Sequence, residues 1–205
     1  MKITIFTLGI AVLSLASCRK SANNITESIP AKTQSISATA LNQFVPYTIL
    51  KGRQYCDKST YESVKLDELS FIVKFDSSAI YRTKTKDNQD DINKLLGFSD
   101  NNEQHHQYSA RFGWRWSNNA LHLFGYIYNN GVRSSKELGT VAIGTENSCS
   151  IKVKDNIYIF TLNGKSQSML RASKTVKGEG YKLFPYFGGD ELAPHTITIW
   201  IKELS

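Results

Sequence analysis

The chain has 205 residues and a formal net charge of +7 at pH 7. This charge is modest, and the Lys and Arg residues are spread along the sequence with no run of five. Because nucleic-acid-binding proteins gather their basic residues into a patch or stripe, this distribution argues against a nucleic-acid partner.

Residues 1–17 are predicted to be a signal peptide. Lys2 supplies a positive charge, and residues 3–15 form an apolar stretch. The stretch is shorter than the ~20 residues that a membrane-spanning helix needs, but it matches the roughly 7–15 residues of a signal peptide's hydrophobic region. The sequence therefore predicts export.

The next residues, Leu15-Ala16-Ser17-Cys18, resemble the lipobox of bacterial lipoproteins. The resemblance implies cleavage before Cys18, a diacylglycerol on its thiol and an acyl chain on its new amino group. Each buried methylene adds ~0.8 kcal/mol, so several chains make a stable anchor. The expected partner is then membrane lipid, and the expected location is the outer membrane of the cell envelope, facing the periplasm or the exterior. The alternative is an ordinary secretory peptide that leaves Cys18 as a spare thiol.

Residues 18–43 are rich in Ser, Thr, Ala and Asn and contain no aromatic residue. This composition is typical of a flexible tether. The composition changes at Phe44, and we predict one folded domain over residues 44–205. Its length of about 160 residues is enough to bury ~70% of the surface of the extended chain.

Within this domain, short apolar segments alternate with turn signals such as Asn129-Asn130-Gly131 and Asn163-Gly164. Such a pattern predicts an all-β sandwich or barrel. The predicted strands are residues 47–50, 70–75, 108–116, 120–128, 136–143, 150–153, 157–162, 166–171 and 195–202. One short helix is predicted over residues 90–98, because Ile92, Leu95 and Leu96 would share a helical face.

Residues 110–131 carry the most informative pattern, two alternating strands joined by a polar turn. The first strand should point Phe112 and Trp114 to one face, and Arg111 and Arg115 to the other. On the second strand one face is aliphatic. The other holds His122, Phe124, Tyr126 and Tyr128. An aromatic face of this kind is typical of a binding sheet.

The C-terminal segment adds two further candidates. Two glycines and two prolines predict a tight loop that presents Tyr186 near the start of the last strand. That strand alternates, with Ile197 and Ile199 directed inward and Trp200 directed outward.

Two cysteines remain after Cys18, namely Cys56 and Cys149. An even pair in an exported domain predicts a disulfide, and two buried free thiols are the alternative. The polar stretch over residues 84–107 contains several acidic residues and the pair His105-His106. Its spacing matches no metal-binding loop, so we predict no metal or cofactor.

Two segments of the sequence resemble those of a known family. They are ARFGWRW, followed by an aromatic strand and an Asn-Gly hairpin, and GYKLFPYFGGDELAPHTITIWI. Together they are similar to bacterial lipoproteins with concanavalin A-like jelly-roll domains, over roughly residue 91 to the C-terminus. The resemblance implies a jelly-roll sandwich of two antiparallel sheets. It also implies kinship with lectins, glycan-binding modules, β-glucanases and polysaccharide lyases, which lay a polysaccharide across one concave sheet.

Three functions remain open. We favour the first, a non-catalytic surface lipoprotein that binds a glycan, with a structural role as its alternative. Sugar rings stack on Trp and Tyr, while Arg and His bind hydroxyl or carboxylate groups. The candidate ligand-binding residues are Arg111, Arg115, His122, Tyr126, Tyr128, Tyr186 and Trp200. Trp114, Trp116 and Phe124 are assigned to the core, and Arg111 has the alternative role of pairing with a carboxylate of the sheet.

The second function is a polysaccharide lyase, with Arg111 neutralising a uronate and with His122 and Tyr126 as base and acid. The Arg-Glu-Leu, Gln-Ile-His and Tyr-Phe-Lys motifs of alginate-type jelly-roll lyases are absent from the sequence. The third function is a glycoside hydrolase, which requires two carboxyl groups close together. No Glu-x-Asp-x-x-Glu motif is present.

Overall fold

The structure, a computed structural model, describes residues 43–204. The predicted signal peptide, Cys18 and nearly all of the predicted tether lie outside the described residues. Within the described part, no helix is long and apolar enough to cross a membrane. The strands are β1 Val45–Ile49, β2 Ser63–Leu66, β3 Glu68–Phe75, β4 Asn93–Ser99, β5 Tyr108–Ser117, β6 Ala120–Asn129, β7 Val132–Val141, β8 Glu146–Lys154, β9 Ile157–Leu162, β10 Lys165–Leu170, β11 Gly178–Leu183 and β12 Ile197–Leu204. Two short 3-10 helices cover Ser77–Ala79 and Lys86–Asp90.

The twelve strands form two six-stranded sheets. The first sheet has the order β1-β12-β3-β8-β9-β10, and the second has the order β2-β11-β4-β5-β6-β7. All of the pairings are antiparallel. The predicted all-β class and the arrangement of two antiparallel sheets are confirmed.

The core lies between the two sheets, where alternate residues of each strand are buried. Phe112 of β5 contacts rings from the opposite sheet, with its centroid 5.5 Å from those of both Phe71 and Phe160. Ile197 and Ile199 of β12 are fully buried, as predicted. Burial of one such side chain contributes about 1.5–3 kcal/mol, so the core determines which face of each strand turns outward.

The predicted helix over residues 90–98 is wrong, because this segment forms β4. Leu95 and Leu96 are both fully buried, although adjacent residues of a regular strand face opposite ways. The register against β5 shifts between Lys94 and Gly97. A β-bulge inserts one extra residue at such a shift. The bulge turns the two successive leucines inward. Their positions in the sequence therefore resemble the buried face of a helix, which explains the wrong prediction.

The predicted Asn-containing turns form two-residue hairpins. Asn118 and Asn119 have φ of 51° and 58°, while Asn130 and Gly131 have φ of 51° and 77°. Both central residues are therefore left-handed, the conformation that matches the twist of the flanking strands. These turns set the register of β5 on β6 and of β6 on β7.

The disulfide considered between Cys56 and Cys149 is not formed, and both residues are buried free thiols. Cys149 lies on β8, whereas Cys56 bridges to Ile49 on β1. Strands β12 and β3 separate β1 from β8. Cys56 lies beyond β1, on the side opposite β12, so four strand spacings, about 19 Å, separate the two cysteines, beyond the ~7 Å that a disulfide spans between Cα atoms.

Candidate functional site

A groove of about 490 Å³ lies on the outer face of the second sheet. Strands β4, β5, β6, β7 and β11 contribute to it, together with the loop that follows β1. Its lining contains six tyrosines, four cationic residues and two histidines: Tyr55, Tyr61, Tyr126, Tyr128, Tyr181, Tyr186, Lys94, Arg111, Arg133, Lys182, His105 and His106. Within residues 43–204, no Asp or Glu lines this groove.

Strand alternation produces the groove, as the sequence predicted for β5 and β6. Phe112 and Trp114 are fully buried in the core, which turns Arg111 to the outer face. Arg111 pairs directly with Tyr126 on β6. Tyr128 stands opposite Arg133 on β7. Cross-strand neighbours on one face are close enough to act together.

Arg111 forms the floor of the groove and also supports the bulge in β4. Its Nη2 donates to the Leu95 carbonyl at 3.0 Å and to the Phe184 carbonyl at 2.7 Å. A Cβ added to Gly97, the residue paired with Arg111, would lie 2.1 Å from the Arg111 Cβ. Burial lowers the pKa of Arg111 to about 10. The predicted alternative, in which Arg111 pairs with a sheet carboxylate, is not seen, because backbone carbonyls hold the guanidinium.

Lys94 is a second cation at the floor. Its Nζ donates to the Ile92 carbonyl at 2.6 Å and lies 4.7 Å from the centroid of the Tyr126 ring. Burial, reinforced by Arg111 and Arg133, lowers the pKa of Lys94 to about 8. In the described residues, neither Lys94 nor Arg133 forms a salt bridge. Unlike Lys94 and Arg133, Lys182 does form a salt bridge, since its Nζ lies 2.5 Å from Glu203 Oε2.

Tyrosines supply both the floor and the rim. Burial and the neighbouring Tyr128 raise the pKa of Tyr126 to about 12, so this phenol stays protonated at neutral pH. At the rim, the ring of Tyr55 meets Tyr186 edge-on at 4.9 Å, and Tyr55 is 69% exposed. Tyr61 is 78% exposed. Such exposed rings offer apolar faces to a ligand.

Two histidines stand at the start of β5. The Nδ1 of His105 lies 2.8 Å from the hydroxyl oxygen of Tyr181, which also accepts the His105 backbone N–H at 3.1 Å. Burial, with His106 and Arg111 adding to it, lowers the pKa of His105 to about 4. His105 is therefore neutral at pH 7. Over residues 43–204, no three His, Cys, Asp or Glu side chains are placed to hold a metal ion.

Three of the predicted ligand-binding residues lie outside the groove. Arg115 and His122 occupy the same sheet face further along β5 and β6. Arg115 donates to the Asp90 carbonyl at 2.8 Å. His122 contacts Glu137 Oε1 at 2.8 Å and the Ser117 carbonyl at 3.2 Å.

Ile92 covers the sheet beside these residues, since a Cβ added to Gly113 would lie 2.4 Å from Ile92 Cγ2. Trp200 belongs to the other sheet, where its Nε1 donates to Asp76 at 3.3 Å. The structure therefore brings together Arg111, Tyr126, Tyr128 and Tyr186, and it places the other three candidates elsewhere.

The predicted lyase set of Arg111, His122 and Tyr126 does not converge. His122 is four residues from Tyr126 on the same strand, a separation of about 13 Å. The groove instead contains His105 and His106, two residues that were candidates from the sequence but were not included in the predicted lyase set. It also contains Lys94, Arg133 and Tyr181, which were not predicted as site residues. Lys94 and Tyr181 lie on β4 and β11, two strands that were not predicted.

No protein-family model matches the sequence, and no curated protein matches it. Among solved structures, alginate lyase AlyC3 is similar, with a TM-score of 0.54, 9% sequence identity and coverage of 79% of this chain and 74% of that chain. The carbohydrate binding module CBM66 from Bacillus subtilis gives a TM-score of 0.38, 11% identity and coverage of 78% and 80%. A glycoside hydrolase family 16 endo-glucanase from Bacteroides ovatus gives a TM-score of 0.44, 10% identity and coverage of 78% of this chain and 80% of that chain. The predicted concanavalin A-like jelly-roll sandwich is confirmed.

Proposed function

We propose that the protein binds an acidic, uronate-containing polysaccharide in the tyrosine-lined groove, without cleaving it. The observation that carries the proposal is the composition of the lining, which combines cations and tyrosines with no carboxylate among the described residues. Uronate carboxylates would neutralise these cations, and the apolar faces of the sugar rings would stack on the tyrosines.

The unpaired charge of the groove supports an anionic ligand over a neutral one. Arg111 is bound by carbonyls, and Lys94 and Arg133 lie in no salt bridge of the described part. Burial lowers the pKa of Lys94, and repulsion from Arg111 and Arg133 lowers it further. An anion in the groove relieves that repulsion, whereas a neutral glucan does not.

The same composition speaks against a glycoside hydrolase acting in this groove. Both retaining and inverting hydrolysis need two carboxyl groups flanking the glycosidic bond. None of the described lining residues carries one.

Calorimetric titration with polygalacturonate, alginate and a neutral β-glucan tests the proposal. We expect binding to the two acidic polymers and weakening as the salt concentration rises, because salt screens exposed charges. The substitution Arg133→Ala should weaken binding about tenfold. Lys202→Ala, which removes the same charge from the first sheet, should leave affinity unchanged. Equal binding of the neutral glucan, or equal loss in both variants, would contradict the proposal.

A polysaccharide lyase is the second candidate, and one observation favours it. Tyr126 is protonated at neutral pH and lies opposite Arg111, while the neutral His105 lines the same groove. β-Elimination removes the proton next to the uronate carboxylate, breaks the bond to the leaving oxygen and forms a double bond. It therefore needs a neutralising cation with a base and an acid.

An ultraviolet absorbance assay for the unsaturated uronate product separates the two candidates. Binding without any rise in absorbance supports the binding module. A rise that Tyr126→Phe abolishes while binding persists would establish the lyase, with Arg111 and Tyr126 in their predicted roles and with His105 in place of His122.

We further propose that the domain is held on the outer membrane through an acylated Cys18. Support comes from the order of an apolar leader, a lipobox-like Leu15-Ala16-Ser17-Cys18 and a polar segment before the fold. Metabolic labelling with palmitate and membrane fractionation test this anchor. The wild type should carry label and sediment with membranes, and Cys18→Ser should do neither. An unlabelled wild type in the soluble fraction would contradict the anchor.

A further inference from the structure

Lys94 is held rigidly at the floor of the groove. Its backbone pairs with Tyr186 in both directions, with its N–H 2.8 Å from the Tyr186 carbonyl and its carbonyl 3.0 Å from the Tyr186 N–H. The side chain then extends over β5 towards β6, where its Nζ lies 4.7 Å from the centroid of the Tyr126 ring. One hydrogen bond to the Ile92 carbonyl fixes the ammonium. Its two other N–H groups have no protein partner in the described residues.

The charges around Lys94 are mostly of its own sign. The charged and titratable groups that surround it in the groove include Asp91 on its own segment, Arg111 on β5, Tyr126 on β6, Arg133 on β7, Tyr186 after β11 and Tyr55 in the loop after β1. Asp91 raises the pKa of Lys94, but burial and the two arginines outweigh it and bring the pKa to about 8. A ligand carboxylate would reverse this balance.

We propose that a single uronate carboxylate binds between Lys94 Nζ and Arg133, above the Tyr126 ring. Lys94 then takes up a proton when this carboxylate binds. The inference rests on the proposed function and assigns to Lys94 a role that Arg111 does not have. The Nη2 of Arg111 donates to two backbone carbonyls, and its buried Nε has no partner in the described residues. Lys94 differs in that its amine exchanges a proton near pH 8, which an arginine side chain does not do.

The proton balance follows from the pKa of free Lys94. Near pH 8 the amine is protonated in about half of the free molecules, and an adjacent carboxylate favours the charged form. Binding at pH 8 therefore takes up about half a proton per site, while binding at pH 6 takes up almost none. Above pH 8 the affinity falls by as much as tenfold per pH unit, because each binding event must first protonate the amine. Arginine side chains remain charged throughout this range.

Isothermal titration calorimetry of the full chain with an oligogalacturonate measures this proton. Titrations at pH 8 are run in phosphate and in Tris, which differ strongly in ionisation enthalpy. We expect apparent binding enthalpies that differ by about half of that difference at pH 8 and that coincide at pH 6.

The variant Lys94→Arg is the matched control, since it keeps the charge but does not titrate near pH 8. It should bind within about threefold of the wild type at pH 8, with the same enthalpy in both buffers and no loss of affinity above pH 8. Lys94→Met should lose at least about tenfold in affinity at pH 7. The N-terminal amine also titrates near pH 8, and a proton taken up there would persist in Lys94→Arg.

The possible results separate the two proposals. Binding with equal apparent enthalpies in phosphate and in Tris at pH 8 would overturn the role of Lys94 and leave the proposed function standing. Proton uptake that persists in Lys94→Arg would do the same. The absence of any binding heat with acidic oligosaccharides would overturn both the role of Lys94 and the proposed function. Should Lys94→Met fail to fold by circular dichroism, the buffer comparison in the wild type and Lys94→Arg still decides.

Discussion

Arg171 and Asp100 form a bidentate ion pair that is almost completely removed from water. Arg171 Nε donates to Asp100 Oδ2 at 2.8 Å and its Nη2 donates to Oδ1 at 3.2 Å, with side chains that are 2% and 0% exposed. The hydroxyl of Tyr158 donates to the same carboxylate at 2.6 Å. The backbone N–H of Glu179 also donates to it at 3.2 Å. This pair joins the end of β4 to β9, to β11 and to the segment after β10.

The substitution Asp100→Asn should destabilise the fold by about 3–5 kcal/mol, because it leaves the buried Arg171 without its counter-charge. Urea denaturation followed by circular dichroism measures this loss. Asp67→Asn is the control, since the pair of Asp67 with Lys177 is exposed at the surface and such pairs contribute less than ~1 kcal/mol. Similar losses in the two variants would show that burial of the Arg171 pair has no energetic effect.

Asp100 should also make the stability of the fold depend on pH under acidic conditions. Hydrogen bonds from Arg171 and Tyr158 outweigh burial and hold the pKa of Asp100 below its ordinary value of 3.8. The folded state therefore binds this proton more weakly than the unfolded state, and the stabilisation is present above about pH 4 and is lost as the pH falls further. Asp100→Asn should flatten that part of the stability profile. An unchanged slope below pH 4 would contradict the assignment.

His105 should cause a second, separate loss of stability at acidic pH. Its pKa in the folded protein is about 4, below the value of ~6.5 in an unfolded chain. Since the unfolded state binds the proton more tightly, stability should fall as the pH drops from about 6.5 to 4. His105→Gln should reduce this fall in a series of urea denaturations. His106→Gln, which alters the exposed neighbouring ring, should preserve most of it, because burial of His105 lowers the pKa more than His106 does. A preserved fall in His105→Gln would refute the prediction.

Tyr55 should contribute to binding without contributing to stability. Its ring is 69% exposed and contacts Tyr186 at the rim of the groove. Tyr55→Ala should weaken binding of an acidic polysaccharide roughly fivefold, or about 1 kcal/mol, and change the free energy of unfolding by less than ~0.5 kcal/mol. Leu170→Ala is the matched control, because Leu170 is 75% exposed on the first sheet. A stability loss without an affinity loss would count against a ligand role.

The two buried cysteines should behave as free thiols. Because about 19 Å separates them by strand spacing, too far for a disulfide, a reductant should not change the melting temperature. Cys56 and Cys149 are buried in the folded protein, so iodoacetamide should modify both only after unfolding, even without prior reduction. Peptide mass spectrometry detects the two alkylated sites. A peptide that joins the two cysteines would require a different arrangement of β1 and β8.

Local sequence predicted nine of the twelve strands, and the three that it missed are neighbours in space. β2, β11 and β4 form one half of the second sheet. β2 is short, β11 contains two glycines, and β4 carries two adjacent leucines across its bulge. β2 alternates over only four residues, which is too short a signal to identify a strand. β4 and β11 show no clean two-residue period, because long-range pairing rather than a buried alternating face defines them.

The alternating order of residues in β5 and β6 was sufficient to determine that Arg111, Tyr126 and Tyr128 share an outer face, since a period of two is a local property of the chain. It could not determine that Lys94, Arg133 and His105 join them, or that His122 and Trp200 do not. Those contacts depend on a bulge in β4, on the pairing of β11 with β4 and on the segment that carries Ile92 over Gly113. Residues far apart in the chain meet only when the sheets close around their common core, so tertiary packing decides the composition and charge of the groove.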